Sequence, residues 1–157
     1  AEKFAYDMKG RVSGQLIVVD NPKEAANADV VVCVTQSKDK FVKDDWVKPG
    51  TVIFPMGSYQ ECEDRLILNM DKIIVDHVEQ CLQRGALKNL GKKGLLTEKN
   101  IYATIGELAS GKKKIPRRND RRILCVPIGT GMLDIAVATV VMQNALDKGL
   151  GSHYVFA

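Results

Sequence analysis

Aromatic side chains make up only 6% of these 157 residues, and histidine occurs twice, at His77 and His153. Neither histidine has metal-ligand spacing to another ligand-type residue or an identifiable nucleophile partner, so no metal centre is expected. The four cysteines, Cys33, Cys62, Cys81 and Cys125, lack the close pairing of zinc and redox motifs. Cys33 and Cys125 fall inside apolar runs and read as small buried hydrophobes. No apolar stretch is long enough to span a bilayer and no signal peptide is visible, which predicts a cytoplasmic setting with no membrane partner. Neither sign of charge dominates: 23 basic against 19 acidic residues give a net charge of +4. That is far from a dedicated nucleic-acid protein, and no such partner is expected. The basic residues do cluster, at Lys112, Lys113, Lys114, Arg117, Arg118, Arg121 and Arg122. A solvated loop ahead of a buried strand is the expected role. Absent too is the three-glycine GxGxxG turn, which binds a dinucleotide pyrophosphate through bare backbone and a helix N-terminus.

What is present is a series of short apolar, β-branched runs. They are Leu16 to Val19, Val30 to Val34, TVIFPM from Thr51 to Met56, Ile73 to Val75, and Ile123 to Val126. Continuous hydrophobic runs separated by helical segments indicate a parallel sheet covered on both faces. The chain opens in a helical pattern, with Phe4 and Met8 on one face, and KEAANA after Asn21-Pro22 forms a short helix. HVEQCLQRGALKNL carries Val78, Cys81, Leu82, Leu87 and Leu90 inward. Thr97 to Ser110 reads as a helix through Ile101, Ile105 and Leu108, with Gly111 as its C-cap. A last helix, Met132 to Lys148, turns Ile135, Ala138, Val141, Met142 and Ala145 inward, and Gly149 stops it. The fold class is therefore α/β, a doubly wound, mostly parallel, Rossmann-like sheet truncated at its N-terminal side.

Ligands of such sheets bind beyond the carboxyl ends of the strands. Three groups stand there: Thr35-Gln36-Ser37, Pro55-Met56-Gly57-Ser58, and Pro127-Ile128-Gly129-Thr130-Gly131. Each offers small residues, hydroxyls or bare backbone to a ribose or a nicotinamide ring. Together they predict a cofactor crevice, with IGTGML as a wall of the nicotinamide pocket rather than a phosphate loop. Tyr59, Glu61 and Glu63 follow a strand end and are the polar groups best placed to overlook a substrate. Asp76 and His77 suit a polar cap on the next helix, and Asp134 the first turn of the last helix.

In order along the chain, ADVVVCVTQS, DDWVKPGTVIFPMGS, DKIIVD, GELASGKK and PIGTGMLDIAVATVVMQNALDKGLG resemble the ornithine cyclodeaminase/mu-crystallin family. The resemblance implies a two-domain enzyme: a dimerising substrate domain, made from the chain's beginning and last helix, around a Rossmann domain. Residues 1–131 would then be an incomplete NAD(P)-binding domain, and 132–157 a helix and tail returning to the substrate domain. It implies NAD or NADP as cofactor, a small amino or imino acid as substrate, and a homodimer at full length. By similarity Thr35, Gln36 and Ser37 lie beside the ribose. Val52, Ile53, Phe54, Pro55 and Met56 run along the cofactor with Gly57 near the nicotinamide, and Pro127, Ile128 and Gly129 close the other side. Tyr59 stands where cyclodeaminases carry an aspartate that acts on the substrate amine. A phenol keeps its proton at neutral pH and is a poor base there.

An oxidoreductase acting on a C–N bond is therefore expected before the alternatives, a true ornithine cyclodeaminase or a non-catalytic, mu-crystallin-like binding protein. The family's first strand, glycine loop, ribose-reading acidic residue and substrate-binding basic residues have no counterpart here, so the 157 residues alone are expected to be inactive. The vacated sheet edge predicts self-association of the isolated chain. Light scattering on a sizing column that returned a strict monomer would contradict that expectation.

Overall fold

Residues 1–115 and 120–155 are described in a computed structural model. Five strands, Val30–Cys33 (β1), Val52–Pro55 (β2), Lys72–Val75 (β3), Ile101–Thr104 (β4) and Ile123–Val126 (β5), form one sheet in the order β1-β2-β5-β3-β4. Every pairing is parallel. The strand last in sequence lies in the middle: Leu124 pairs with Ile53 on one side and with Ile73 on the other. β3 and β5 bury three consecutive residues each, as strands covered on both faces must. β1 buries only Val31 and Cys33, leaving Val30 and Val32 exposed.

The helices are Glu2–Met8 (α1), Pro22–Ala26 (α2), Asp64–Leu68 (α3), Val78–Gln83 (α4), Lys88–Lys92 (α5), Ile105–Ala109 (α6) and Gly131–Asp147 (α7). Leu66 and Ile67 of α3, Cys81 of α4, and Leu87 and Leu90 beside and within α5 join Ile53, Val75, Leu124 and Val126 in the core. Asn21 caps α2 by accepting from the Lys23 N–H, and Gly111 and Gly149 follow their helices with φ of +75° and +62°.

Several expectations are corrected. Leu16 to Val19 forms no strand, and Leu16, Ile17 and Val18 are exposed, because no neighbouring strand is there to pair with them. The span Thr97 to Ser110 is not one helix. A 3-10 turn (Glu98–Asn100) leads into β4, which pairs with β3, and α6 follows. Ile-Tyr-Ala-Thr is a β-favouring tetrad at a free sheet edge, and its i,i+4 spacing fits either structure. Thr104 and Glu107 form a capping box that starts α6. The segment from His77 to Leu90 is likewise broken, by Gly85 at φ +70°. In α7, Ile135, Ala138, Val141 and Met142 are exposed rather than inward, because none of the described elements covers that face.

The basic cluster is partly structural. Arg117 and Arg118 lie outside the described residues. Arg122 reaches Asp44, with Nη1 donating to Oδ1 at 2.7 Å, while Asn69 donates to Oδ2 at 2.7 Å and Arg65 Nε lies 3.1 Å from it. Asp44 is buried. Burial works to raise its carboxyl, but hydrogen bonds from Asn69 and Arg122 and the two guanidinium charges outweigh that and hold it below the ordinary range. Lys113 Nζ donates to Tyr102 O at 2.6 Å, and Tyr102 OH to Lys114 O at 2.6 Å, pinning the cluster's start to β4.

Two outcomes follow for stability. Arg122→Met leaves a buried carboxylate short of its donor and should cost about 2–3 kcal/mol at pH 7 in urea unfolding. Because the folded carboxyl is depressed, its contribution is full above about pH 4 and fades as pH falls through the folded value, so the deficit should narrow in acid. Gly91→Ala should cost about 1–3 kcal/mol despite alanine's helix preference. A Cβ on Gly91 would sit 2.5 Å from the backbone O of Leu82, where α4 and α5 touch.

Candidate functional site

Parallel strands bring all their carboxyl ends to one edge of the sheet, and there the chain makes a crevice of about 190 Å³. Met56, Gly57 and Ser58 line it from the turn after β2, Ile128 from the turn after β5, and Arg84, Gly85 and Lys88 from the break between α4 and α5. A hollow of about 450 Å³ beside Trp46 is larger, but its lining runs through Val47, Lys48 and Pro49, ahead of β2, on the edge where these strands begin.

The turns at this edge are tied together by side chains from a distance. Glu61 is fully buried, and its Oε1 accepts from Thr35 N at 2.7 Å and from Thr35 Oγ1 at 2.6 Å. The end of β1 is thereby fastened to the segment after β2. The second oxygen, Oε2, is buried with no hydrogen-bond partner among the described residues. It faces Gly57: a Cβ there would come within 3.1 Å of Oε2 and 3.0 Å of Thr35 O. Glycine thus lets the β2 turn lie close against the β1 turn, with bare backbone at the crevice.

A second tie joins β3 to β5. Asp76 Oδ2 accepts from Gly129 N at 2.7 Å, and its Oδ1 accepts from His77 N at 2.9 Å and Cys81 Sγ at 3.3 Å. Gly129, at φ +80°, gives its carbonyl to Arg84 Nη2 at 2.7 Å. Burial, with the Asp76 carboxylate beside it, pushes the Cys81 thiol up to about 12. His77 caps α4 by accepting from Gln80 N at 3.4 Å, in the role expected for it.

Of the residues singled out from the sequence, Met56, Gly57, Ser58 and Ile128 line the crevice itself. Thr35, Gln36 and Ser37 stand at the end of β1, where Thr35 is spent on Glu61 and its Oγ1 also accepts from Ser37 N at 3.1 Å. Val52 and Phe54 are half-buried, while Ile53 and Pro55 send their side chains into the core. Pro127 is half-buried and Gly129 exposed. Tyr59 is exposed beyond the turn. Glu61 does not overlook an open site as expected, because its carboxylate lies beneath the crevice. Glu63 accepts from Asp44 N, away from that opening. Arg84, Gly85 and Lys88 escaped sequence reasoning because the unbroken apolar spacing concealed the turn that brings them here. The glycine at 85 was its signal.

Comparison with known proteins gives this geometry a context. Residues 1–149 match the ornithine cyclodeaminase/mu-crystallin family. An alanine dehydrogenase of Archaeoglobus fulgidus is 35% identical over 168 residues, covering 99% of this chain and 52% of that protein. The solved structure of an archaeal alanine dehydrogenase dimer with bound NAD superposes with a TM-score of 0.88 at 34% identity, over 100% of this chain and 49% of that one. The Delta(1)-pyrroline-2-carboxylate reductase of Thermococcus litoralis, in complex with NADH and L-proline, superposes with a TM-score of 0.87 at 25% identity, over 98% and 49%. The chain thus spans about half the length of the relatives it matches. With its parallel sheet, its crevice at the strand ends and a match running almost from end to end, the chain belongs to the ornithine cyclodeaminase/mu-crystallin family.

Proposed function

We propose that the chain forms part of an NAD(P)-dependent oxidoreductase acting on the C–N bond of a small amino or imino acid. The observation that carries this is the crevice between the ends of β2 and β5, in a fold shared at a TM-score of 0.88 with a dehydrogenase holding NAD. Relatives named for alanine and for pyrroline-2-carboxylate point to the substrate class. A homodimer is in keeping with the dimeric neighbour, and four free cysteines suit a reducing, cytoplasmic setting.

The residues present fit such a cofactor. Gly57 leaves a cradle that a Cβ would fill, and Gly129 holds a φ that L residues rarely adopt. Both present backbone where a flat ring needs close approach. Thr35 to Ser37 would flank the ribose, Met56 to Ser58 one face of the nicotinamide, and Pro127 to Gly129 the other. When bound, the cofactor supplies or accepts the hydride. The chain's own part is orientation: Glu61 through Thr35, and Asp76 through Gly129, hold the two walls at fixed spacing. Tyr59 is the candidate polar group at the rim, where its hydroxyl would donate to the substrate rather than take a proton.

Fluorescence titration of NADH into the protein at the length its source makes tests this reading. Binding is expected, with oxidation on addition of a keto acid and an amine; no binding would overturn the assignment. Binding without turnover would leave a small-molecule binding protein, and release of proline from ornithine a cyclodeaminase. Gly57→Ala should weaken NADH by about tenfold or more, since the added methyl can only be relieved by moving the wall. An unchanged Kd would remove Gly57 from the ring site.

A further inference from the structure

We propose that the crevice bounded by Ser58, Arg84 and Lys88 is a subsite for a carboxylate carried on the substrate's side chain, so that the protein selects an acidic amino or imino acid. The proposal rests on the oxidoreductase reading, which puts the reacting ring against Gly57 and Ile128. What it adds comes from the third wall of the crevice.

That wall is cationic. The Lys88 ammonium has no hydrogen bond or ion pair among the described residues, and neither has the hydroxyl of Ser58. Arg84 spends one nitrogen, Nη2, on Gly129 O at 2.7 Å and Gln80 Oε1 at 3.1 Å. These bonds hold the guanidinium beside the β5 turn and leave its other N–H groups open. Among the described residues, no carboxylate lines the crevice. Two acids beside these turns are hydrogen-bonded to other groups. Asp76 has both oxygens engaged by His77, Cys81 and Gly129, and Glu61 lies buried beneath Gly57 with Oε1 on Thr35. Two positive charges and a hydroxyl line one side of the crevice, while the nearby carboxylates of Glu61 and Asp76 are turned into the turns around it, and that side suits an oxyanion.

The shape argues for a carboxylate on a short carbon chain. Met56 and Ile128 supply apolar walls on either side of the polar one, and the space is about 190 Å³. That accommodates a few methylenes and a carboxylate. The ring end of the cofactor, against Gly57, is also the end remote from the adenosine. An α-carboxylate needs no such place here: a second acidic group reaching sideways from the reacting carbon does.

The test compares succinate with propionate, a diacid and the monoacid left when one of its carboxylates is removed, by calorimetric titration into the protein at its natural length. Wild type should favour succinate by about tenfold, as one added charged pair would give. Lys88→Met should abolish that preference while leaving propionate unchanged, and Lys88→Arg should restore it. Lys88 is exposed, so these variants should fold, and a melting curve checks that they do. No preference in wild type, or a preference that survives Lys88→Met, overturns the proposal. So does a result in which Lys88→Met weakens inorganic phosphate and NADPH but not succinate, which would give the cations to the cofactor. NADH affinity of the wild type is measured separately. Its absence would sink the oxidoreductase reading, whereas a lost succinate preference with NADH binding intact would sink only the subsite.

Discussion

β5 hydrogen-bonds to β2 along one edge and to β3 along the other, so nothing joins the two halves of the sheet until residues 123–126 are in place. The pairs β1-β2 and β3-β4 each form between neighbours in sequence, but within the sheet they are joined through Leu124 and its flanking residues. Leu124 and Val126 are fully buried between helices on both faces, so the strand that unites the sheet also unites the core. The crevice inherits this arrangement: one wall follows β2, the other follows β5, and their spacing is set by the ladder between them. Such long-range parallel pairing is slow to form, since the intervening loops must be ordered before it is rewarded.

Fixed strands would not by themselves fix the turns that leave them. Three carboxylates perform that task, each reaching across a long sequence interval. Asp44 binds Arg122 at the entrance of β5, Glu61 binds Thr35 at the exit of β1, and Asp76 binds Gly129 at the exit of β5. In each case the acid accepts a hydrogen bond from a group in another strand connection, although Oε2 of Glu61 has no partner among the described residues. Charge at these three points is therefore used to position backbone.

Much of the fold was legible because a buried parallel strand needs an uninterrupted apolar run, and four of the five strands have one. The same rule misled at Leu16 to Val19, whose composition matches β1 but which has no partner strand. Composition reports a capacity for burial and says nothing about who is available to provide it. The strand Ile101–Thr104 was missed for the opposite reason: its spacing fits a helix, and the sheet edge decided the matter. At the site, the turns after β2 and β5 were found from strand ends alone. Glu61 was misjudged because its partner lies 26 residues away, and the Arg84–Lys88 wall was hidden behind a helical period that continues in sequence through a break in space.

The peptide of Gly129 is held from both sides, its N–H by Asp76 and the carbonyl of the same residue by Arg84. Arg84 is therefore bound to the architecture as well as to whatever enters the crevice, and its replacement would release the β5 turn. Lys88 carries no such obligation. Over generations, a lineage could exchange the residue at 88 freely and retune what it accepts, while the arginine stayed behind as an anchor. Diversification of this crevice would then proceed one charge at a time, through the residue that holds nothing else in place.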